Sequence, residues 1–257
     1  MAVLAHDIVG HGTHPLVVLH GFLGSGRNLA TLARRLITHD DLLRVVLPDQ
    51  LGHGDSPPLP TDADLYTMAD AVLRLMTDLH ITKASIVGHS LGGRVALAAK
   101  SRAPERIERI VLLDIAPGPT AHFPAGGIAE QLAALPAEGP DRATFEKPLV
   151  EAGLDRGIVS WLMMNLVRTD DGRFTWRIDR DALVEAHHRS GHLDLWPVVE
   201  GGADVRVIRG RRSPYVNDKD VDRFAQHGVD VKSIDAGHFL HAERPQETFD
   251  AVVDALA

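Results

Sequence analysis

Short apolar runs punctuate the first part of the chain, and each stops at a polar or turn-forming residue. Leu16-Val17-Val18-Leu19 ends at His20-Gly21, and Arg44-Val45-Val46-Leu47 ends at Pro48-Asp49. Ser85-Ile86-Val87 ends at Gly88, and Ile110-Val111-Leu112-Leu113 ends at Asp114. Runs that are apolar on both faces suit buried parallel strands. Between them the spacing turns helical. Leu29, Leu32, Ala33 and Leu36 share a face over 28–37, as do Ala71, Val72, Leu75, Met76 and Leu79 over 67–79. Strand–helix alternation of this kind predicts βαβ units and an α/β fold with a mostly parallel, doubly wound sheet. Weaker patterning over residues 2–9 predicts a two-strand hairpin, which makes the run at Ile110 the sixth strand.

The rhythm breaks after Asp114. Pro117, Gly118 and Pro119 open a stretch with no convincing buried strand, read as helices at 128–135, 142–151, 158–167 and 180–188 with an extended piece at 173–177. The alternating pattern resumes at Val205-Arg206-Val207-Ile208. It continues through a helix at 218–227, a strand at 229–234 and a terminal helix from 246. The expected organisation is a core built from 1–117 and 201–257, with a helical cap, 118–200, inserted after the sixth strand. No internal repeat or low-complexity tract interrupts it.

Composition narrows the function classes. With 27 Lys and Arg against 35 Asp and Glu the net charge is −8, and the basic residues fall in small groups such as Arg34-Arg35 and Arg211-Arg212. A phosphate-tracking surface needs clustered cations, so nucleic acid is not an expected partner. There is no cysteine, which removes thiolate nucleophiles, disulfides and Cys-based metal sites and fits a reducing cytoplasm. The first residues have no basic n-region and reach His6 and Asp7 quickly, unlike a signal peptide. No apolar run approaches the roughly 18 residues of a membrane span. The expectation is a soluble, cytoplasmic monomer or small homo-oligomer.

Gly88-His89-Ser90-Leu91-Gly92 fits G-x-S-x-G, and it lies between a predicted strand and a helix carrying Val95, Ala98 and Ala99. That context is the strand–turn–helix a nucleophile elbow requires, with small residues on both sides of a serine held in strained backbone geometry. The alternative is an ordinary Gly-rich turn with an N-cap serine. An elbow directs the Leu91 amide to where an oxyanion forms. His20-Gly21-Phe22, at the end of an earlier strand, offers the Phe22 amide as a second donor, and His20 itself reads as a structural pin for that loop. Among 15 histidines, His238 stands out by position, because Asp235-Ala236-Gly237-His238-Phe239 follows the last strand and can reach back over the sheet edge. A zinc pair of His238 and His241 lacks a third ligand at sensible spacing.

The acid that orients such a histidine often follows the strand after a cap, where this chain has Ser213. Asp218 and Asp220 fall inside the next helix. Asp114 ends the strand beside the elbow, at the carboxyl edge where ligands and catalytic groups gather. The alternative for Asp114 is a turn or cap residue before Pro117.

With these residues in view the chain resembles the YbfF-type esterases of the α/β hydrolase superfamily. The resemblance spans nearly the whole chain. It is carried by Leu19-His20-Gly21-Phe22-Leu23-Gly24-Ser25 with Asn28, the elbow through Gly93, Leu113-Asp114-Ile115-Ala116-Pro117, Ser213-Pro214-Tyr215-Val216, and Ala236-Gly237-His238 through His241-Ala242-Glu243-Arg244-Pro245. In that family the acid sits on the strand after the elbow helix, which falls on Asp114. The resemblance implies cofactor-free hydrolysis of short acyl esters or thioesters by Ser90, His238 and Asp114. Arg211-Arg212 departs from the small or neutral residues expected before Ser213. Trp161, Met164, Trp176 and Tyr215 are candidates to line an acyl pocket, the alternative being that they hold the cap together, and Arg212 is a candidate to steer an anionic group. The stretch from His20 to Ser25 also resembles the menaquinone-pathway synthase, which does carbon–carbon or elimination chemistry. A non-catalytic ligand-binding homologue is the third reading.

Overall fold

The computed structural model describes residues 3–120 and 128–257. In chain order come β1 (His6–Val9), β2 (His14–Leu19), a 3-10 turn (Gly26–Leu29), α1 (Ala30–His39), β3 (Leu43–Pro48), α2 (Leu65–Asp78), β4 (Ala84–His89), α3 (Leu91–Arg102) and β5 (Ile107–Leu113). An inserted stretch follows, with α4 (Ile128–Ala133), β6 (Glu138–Gly139), α5 (Ala143–Glu151), α6 (Arg156–Leu162), a second 3-10 turn (Met163–Asn165), β7 (Leu166–Arg168), β8 (Phe174–Trp176), α7 (Arg180–Ser190) and α8 (Trp196–Glu200). The chain closes with β9 (Asp204–Gly210), α9 (Asp218–Gln226), β10 (Val231–Ile234), α10 (Leu240–Glu243) and α11 (Pro245–Leu256).

Among the described residues the main sheet has seven strands in the order β1-β3-β2-β4-β5-β9-β10. β1 runs antiparallel to β3 and the remaining pairs are parallel. The two-residue period of a strand explains why continuous apolar runs are needed. Leu16, Val18, Val45, Val87 and Val111 point into an apolar layer shared with α1 and α11. Their neighbours Val17, Leu19, Val46, Ile86 and Ile110 point into the layer under α2 and α3. Each such side chain contributes about 1.5–3 kcal/mol on burial. Phe145, Leu162 and Leu183 of the inserted stretch extend the second layer. No described helix is long and apolar enough to cross a membrane.

Three expectations need correction. Among the described residues of this segment, 3–9, there is one strand rather than a hairpin: β1 pairs with β3, which separates it from β2. The insertion therefore follows the fifth described strand, not the sixth; residues 1 and 2 lie outside the described residues, as do 121–127 of the expected cap. The inserted stretch is not purely helical, because β6, β8 and β7 form a second, antiparallel sheet. The helix expected over 158–167 ends at Leu162, and the chain then turns into β7, which pairs with β8. Gly172, at φ +85°, closes the connection between those strands, and strands of three residues are too short to show a period.

Candidate active site

The sheet's carboxyl edge gathers the residues singled out above. Ser90 stands between β4 and α3 at φ 52° and ψ −117°, a region that costs a non-glycine residue of order 1–3 kcal/mol. Its amide donates to Leu113 O at 3.0 Å, and its carbonyl accepts from Gly93 at 2.9 Å. The flanking glycines follow from packing. A Cβ on Gly88 would meet the Gly92 backbone at 2.5 Å, and one on Gly92 would meet Leu19 O at 2.5 Å. Only glycine admits such close backbone approach. The Ser90 hydroxyl makes no hydrogen bond among the described residues.

Asp114 follows β5, fully buried and at φ 53°. Its amide donates to Ile208 O at 2.8 Å, while its Oδ1 accepts from the Gly210 amide at 2.8 Å. Oδ2 accepts from the Ser213 hydroxyl and from His238 Nδ1 at 2.7 Å. These donors satisfy a carboxyl group that burial cuts off from water. Ser213 thus occupies the place where an acid was looked for and donates to the acid that is present. Because Asp114 accepts, His238 carries its proton on Nδ1 and leaves Nε2 with a lone pair.

The His238 ring lies between Tyr215, stacked at 4.0 Å, and His89 at 4.7 Å. Burial and the nearby Asp114 carboxylate raise the Tyr215 pKa. His89 Nε2 donates to the His238 carbonyl at 2.9 Å, tying the loop to the residue before Ser90. Burial drives the His89 pKa well below its ordinary value, and that of His241 to about 4, so both rings are neutral around His238. Behind the loop, Glu243 accepts from the Gly237 amide at 3.1 Å.

The third component is the turn after β2. His20 is buried; its Nδ1 donates to Gly21 O at 2.8 Å, and its Nε2 accepts from the Gln50 amide at 2.9 Å. Burial lowers its pKa to about 4. Gly21 lies against the elbow: a Cβ there would come within 2.8 Å of His89 Nδ1 and 3.4 Å of Ser90 Cβ. Among the described residues neither the Phe22 nor the Leu91 amide donates a hydrogen bond.

The pocket candidates divide. Trp161 packs on Phe239, rings 5.2 Å apart, and with Met164 lines a small cleft beside Leu23 and Asn165. Trp176 stays within the insertion: its Nε1 donates to Pro136 O at 3.0 Å, and its ring faces Phe145 and Arg180. The Arg212 guanidinium is engaged by Asp235 at 2.7 Å and Glu243 at 2.8 Å. Sequence reasoning gave no role to Asn165, His187 or Gln50. Asn165 was hidden inside an apolar helical pattern, although a lone amide in such a pattern is itself a signal.

An open, mostly parallel sheet with a serine on a strained turn between a central strand and its helix defines an α/β fold of the hydrolase kind. The chain belongs to the α/β hydrolase family: a family model described as the alpha/beta hydrolase fold matches residues 14–157. It is 31% identical to the sn-1-specific diacylglycerol lipase ABHD11 of Mus musculus, over 96% of this chain and 83% of that protein. It is 30% identical to esterase YbfF of Escherichia coli (strain K12), over 96% of this chain and 92% of the relative. The solved structure of a marine microorganism esterase superposes with a TM-score of 0.85 at 26% identity, covering 98% of each chain.

Proposed function

We propose that the protein is a serine hydrolase that cleaves carboxylic esters or thioesters of short acyl chains through an acyl-enzyme. Relatives named esterase and lipase along almost the whole chain support ester hydrolysis. The observation that most supports the mechanism is the 2.7 Å bond between His238 Nδ1 and buried Asp114. His238 Nε2 takes the Ser90 proton as Oγ attacks the acyl carbon, and the oxyanion takes up the Phe22 and Leu91 amides. The same imidazolium gives its proton to the departing alcohol or thiol. A water molecule then loses its proton to Nε2 and attacks the acyl-enzyme, and Ser90 leaves with that proton. Asp114 holds the tautomer and stabilises the imidazolium without becoming protonated. No step calls for a cofactor.

In this reading 118–200 is a cap over a core of 1–117 and 201–257, and Trp161, Met164 and Tyr215 border the acyl group. Absence of cysteine supports a cytoplasmic setting. The test is fluorophosphonate labelling of the folded protein with peptide mapping, beside turnover of p-nitrophenyl esters and acyl thioesters of graded length. Ser90 should carry the label, and Ser90→Ala should lose turnover. An unlabelled Ser90, or a Ser90→Ala variant that still turns over, would overturn the mechanism.

A further inference from the structure

The turn carrying Phe22 runs from Gly21 to Gly24 and is closed by the Gly24 amide donating to Gly21 O at 3.0 Å. Gly21 O shares a rigid peptide plane with the Phe22 N–H, so whatever fixes the turn also aims that donor. The third position of the turn is Leu23, at φ 63°. Turns with a positive φ there ordinarily take glycine, and a leucine held so pays a conformational cost. Something must keep it in place.

That group comes from the inserted stretch. Asn165, buried at the end of the 3-10 turn after α6, donates from Nδ2 to Leu23 O at 2.8 Å and to Leu162 O at 3.3 Å. Its own carbonyl accepts from the Arg177 amide at 2.8 Å, anchoring it at both ends. A second contact joins the same two regions: the His187 ring of α7 packs 4.7 Å from the Phe22 ring. We infer that Asn165 is a positioning residue which, from the insertion, holds Leu23 in its left-handed conformation and thereby aims the Phe22 amide at the substrate oxyanion. The insertion then does more than cover the substrate, since part of the oxyanion site's geometry depends on it. This inference rests on the acyl-enzyme reading with Phe22 as an oxyanion donor.

The test is Asn165→Asp, which keeps the shape and removes the donor. Losing one oxyanion donor outright costs about 10²–10³ in kcat, and a donor that is misaimed rather than deleted should cost about 10–100-fold, with KM within about twofold. A trifluoromethyl ketone, which forms the tetrahedral oxyanion on Ser90, should weaken by the same factor as kcat/KM. The non-reacting carboxylate product should bind as in the parent. A purely structural role would lower the melting temperature and leave the ketone-to-product affinity ratio unchanged, and that result overturns the inference. If Asn165→Asp gives no cooperative melt, Asn165→Gln, with its amide displaced by one methylene, is read by the same ratio. Labelling of Ser90 in the parent separates failure here from failure of the acyl-enzyme reading: a labelled Ser90 with an unmoved ratio sinks only the role of Asn165.

Discussion

The core sheet and the inserted stretch are held by different physics. In the core, backbone ladders and two apolar layers fix the strands, and the site residues are pinned largely by main-chain groups. Asp114 is placed through Ile208 O and the Gly210 amide, His20 through Gly21 and Gln50. The insertion shares the second apolar layer and is tied down in addition by side chains that reach carbonyls. Arg94 of α3, buried, donates to Gly118 O at 2.5 Å, Ser190 O at 3.2 Å and Leu193 O at 2.8 Å, clasping both ends of the insertion. Within it Arg180 donates to Leu132 O at 2.6 Å and Leu135 O at 3.0 Å. Arg189 reaches across to Thr61 O at 2.9 Å and Ala63 O at 3.1 Å. A guanidinium presents several donors in a fixed fork, so one residue can satisfy carbonyls from segments that share no ladder. These three arginines are thereby accounted for without invoking an anionic ligand.

The sharpest way to break the comparison is at the acid. Asp114→Asn keeps the shape of a side chain set by core backbone groups but removes its charge and disturbs the His238 tautomer. The expected loss is about 10⁴ in kcat, with the melting temperature little changed. Ser213→Ala removes one of three donors to Asp114 and leaves the carboxylate and its bond to His238 in place, so it should cost no more than about tenfold. Steady-state kinetics on one ester decides it. If Ser213→Ala is the crippled variant and Asp114→Asn is not, the carboxylate is not the working acid.

These two regions were also unequally legible. Buried parallel strands need apolar side chains on both faces, so Leu16 to Leu19 and Ile110 to Leu113 announce themselves in sequence. Gly88 and Gly92 are forced by backbone contact, which is why the elbow was readable, and Asp114 was readable as a polar stop at a strand's carboxyl end. The insertion offered no such signal. β7 and β8 are three residues each, and Leu166-Val167 continues an apolar spacing that fits a helix equally well. Arg94 and Asn165 act through carbonyls distant in sequence, and no local pattern encodes those partners. At Arg212 the sequence offers no distinction, because an exposed cation looks the same whether it awaits a ligand or holds two neighbouring carboxylates.

The next largest effect is expected at the clasp. Arg94→Met retains much of the aliphatic volume but leaves several carbonyls without their donor. Removing the partner of a buried group costs about 1–3 kcal/mol for each group left unsatisfied, so a loss of at least about 3 kcal/mol in urea unfolding is expected. Limited proteolysis should cut within 118–200 before it cuts the core. Simultaneous cleavage of both regions would mean that they form one cooperative unit, and the contrast drawn here would fail.

Acid should act on both regions, through four rings of the core and through His187 of the insertion, whose pKa burial lowers to about 4. In the core His20 and His53 have pKa values lowered by burial to about 4 and about 3, and burial also drives His89 well down and His241 to about 4. In the unfolded chain such rings take up a proton near 6.5, so between that pH and their folded values the unfolded state binds more protons. Stability is therefore fully present above about pH 6.5 and declines as the pH falls towards 4, each ring adding up to about 1.4 kcal/mol per pH unit. Urea unfolding across this range should show the slope, and His53→Gln should flatten it by one ring's share. A flat profile would require these imidazoles to be protonated in the fold.

The smallest effect is expected at Arg212, an exposed arginine of the core. Its guanidinium bridges Asp235 and Glu243, and Glu243 in turn holds the Gly237 amide beside His238. Half-exposed ion pairs of this kind contribute at most about 1 kcal/mol, so Arg212→Met should lower kcat by no more than about fivefold, with KM unchanged for neutral esters. Added salt should shrink the gap between variant and parent, because screening weakens the parent's ion pairs while the variant has none to lose. A substrate carrying a carboxylate discriminates between the two roles of this arginine. If Arg212 only braces the loop, the variant's KM for that substrate stays at the parent's value. A rise in KM confined to the anionic substrate would return Arg212 to the pocket, and the ion pairs with Asp235 and Glu243 would then be contacts that substrate displaces.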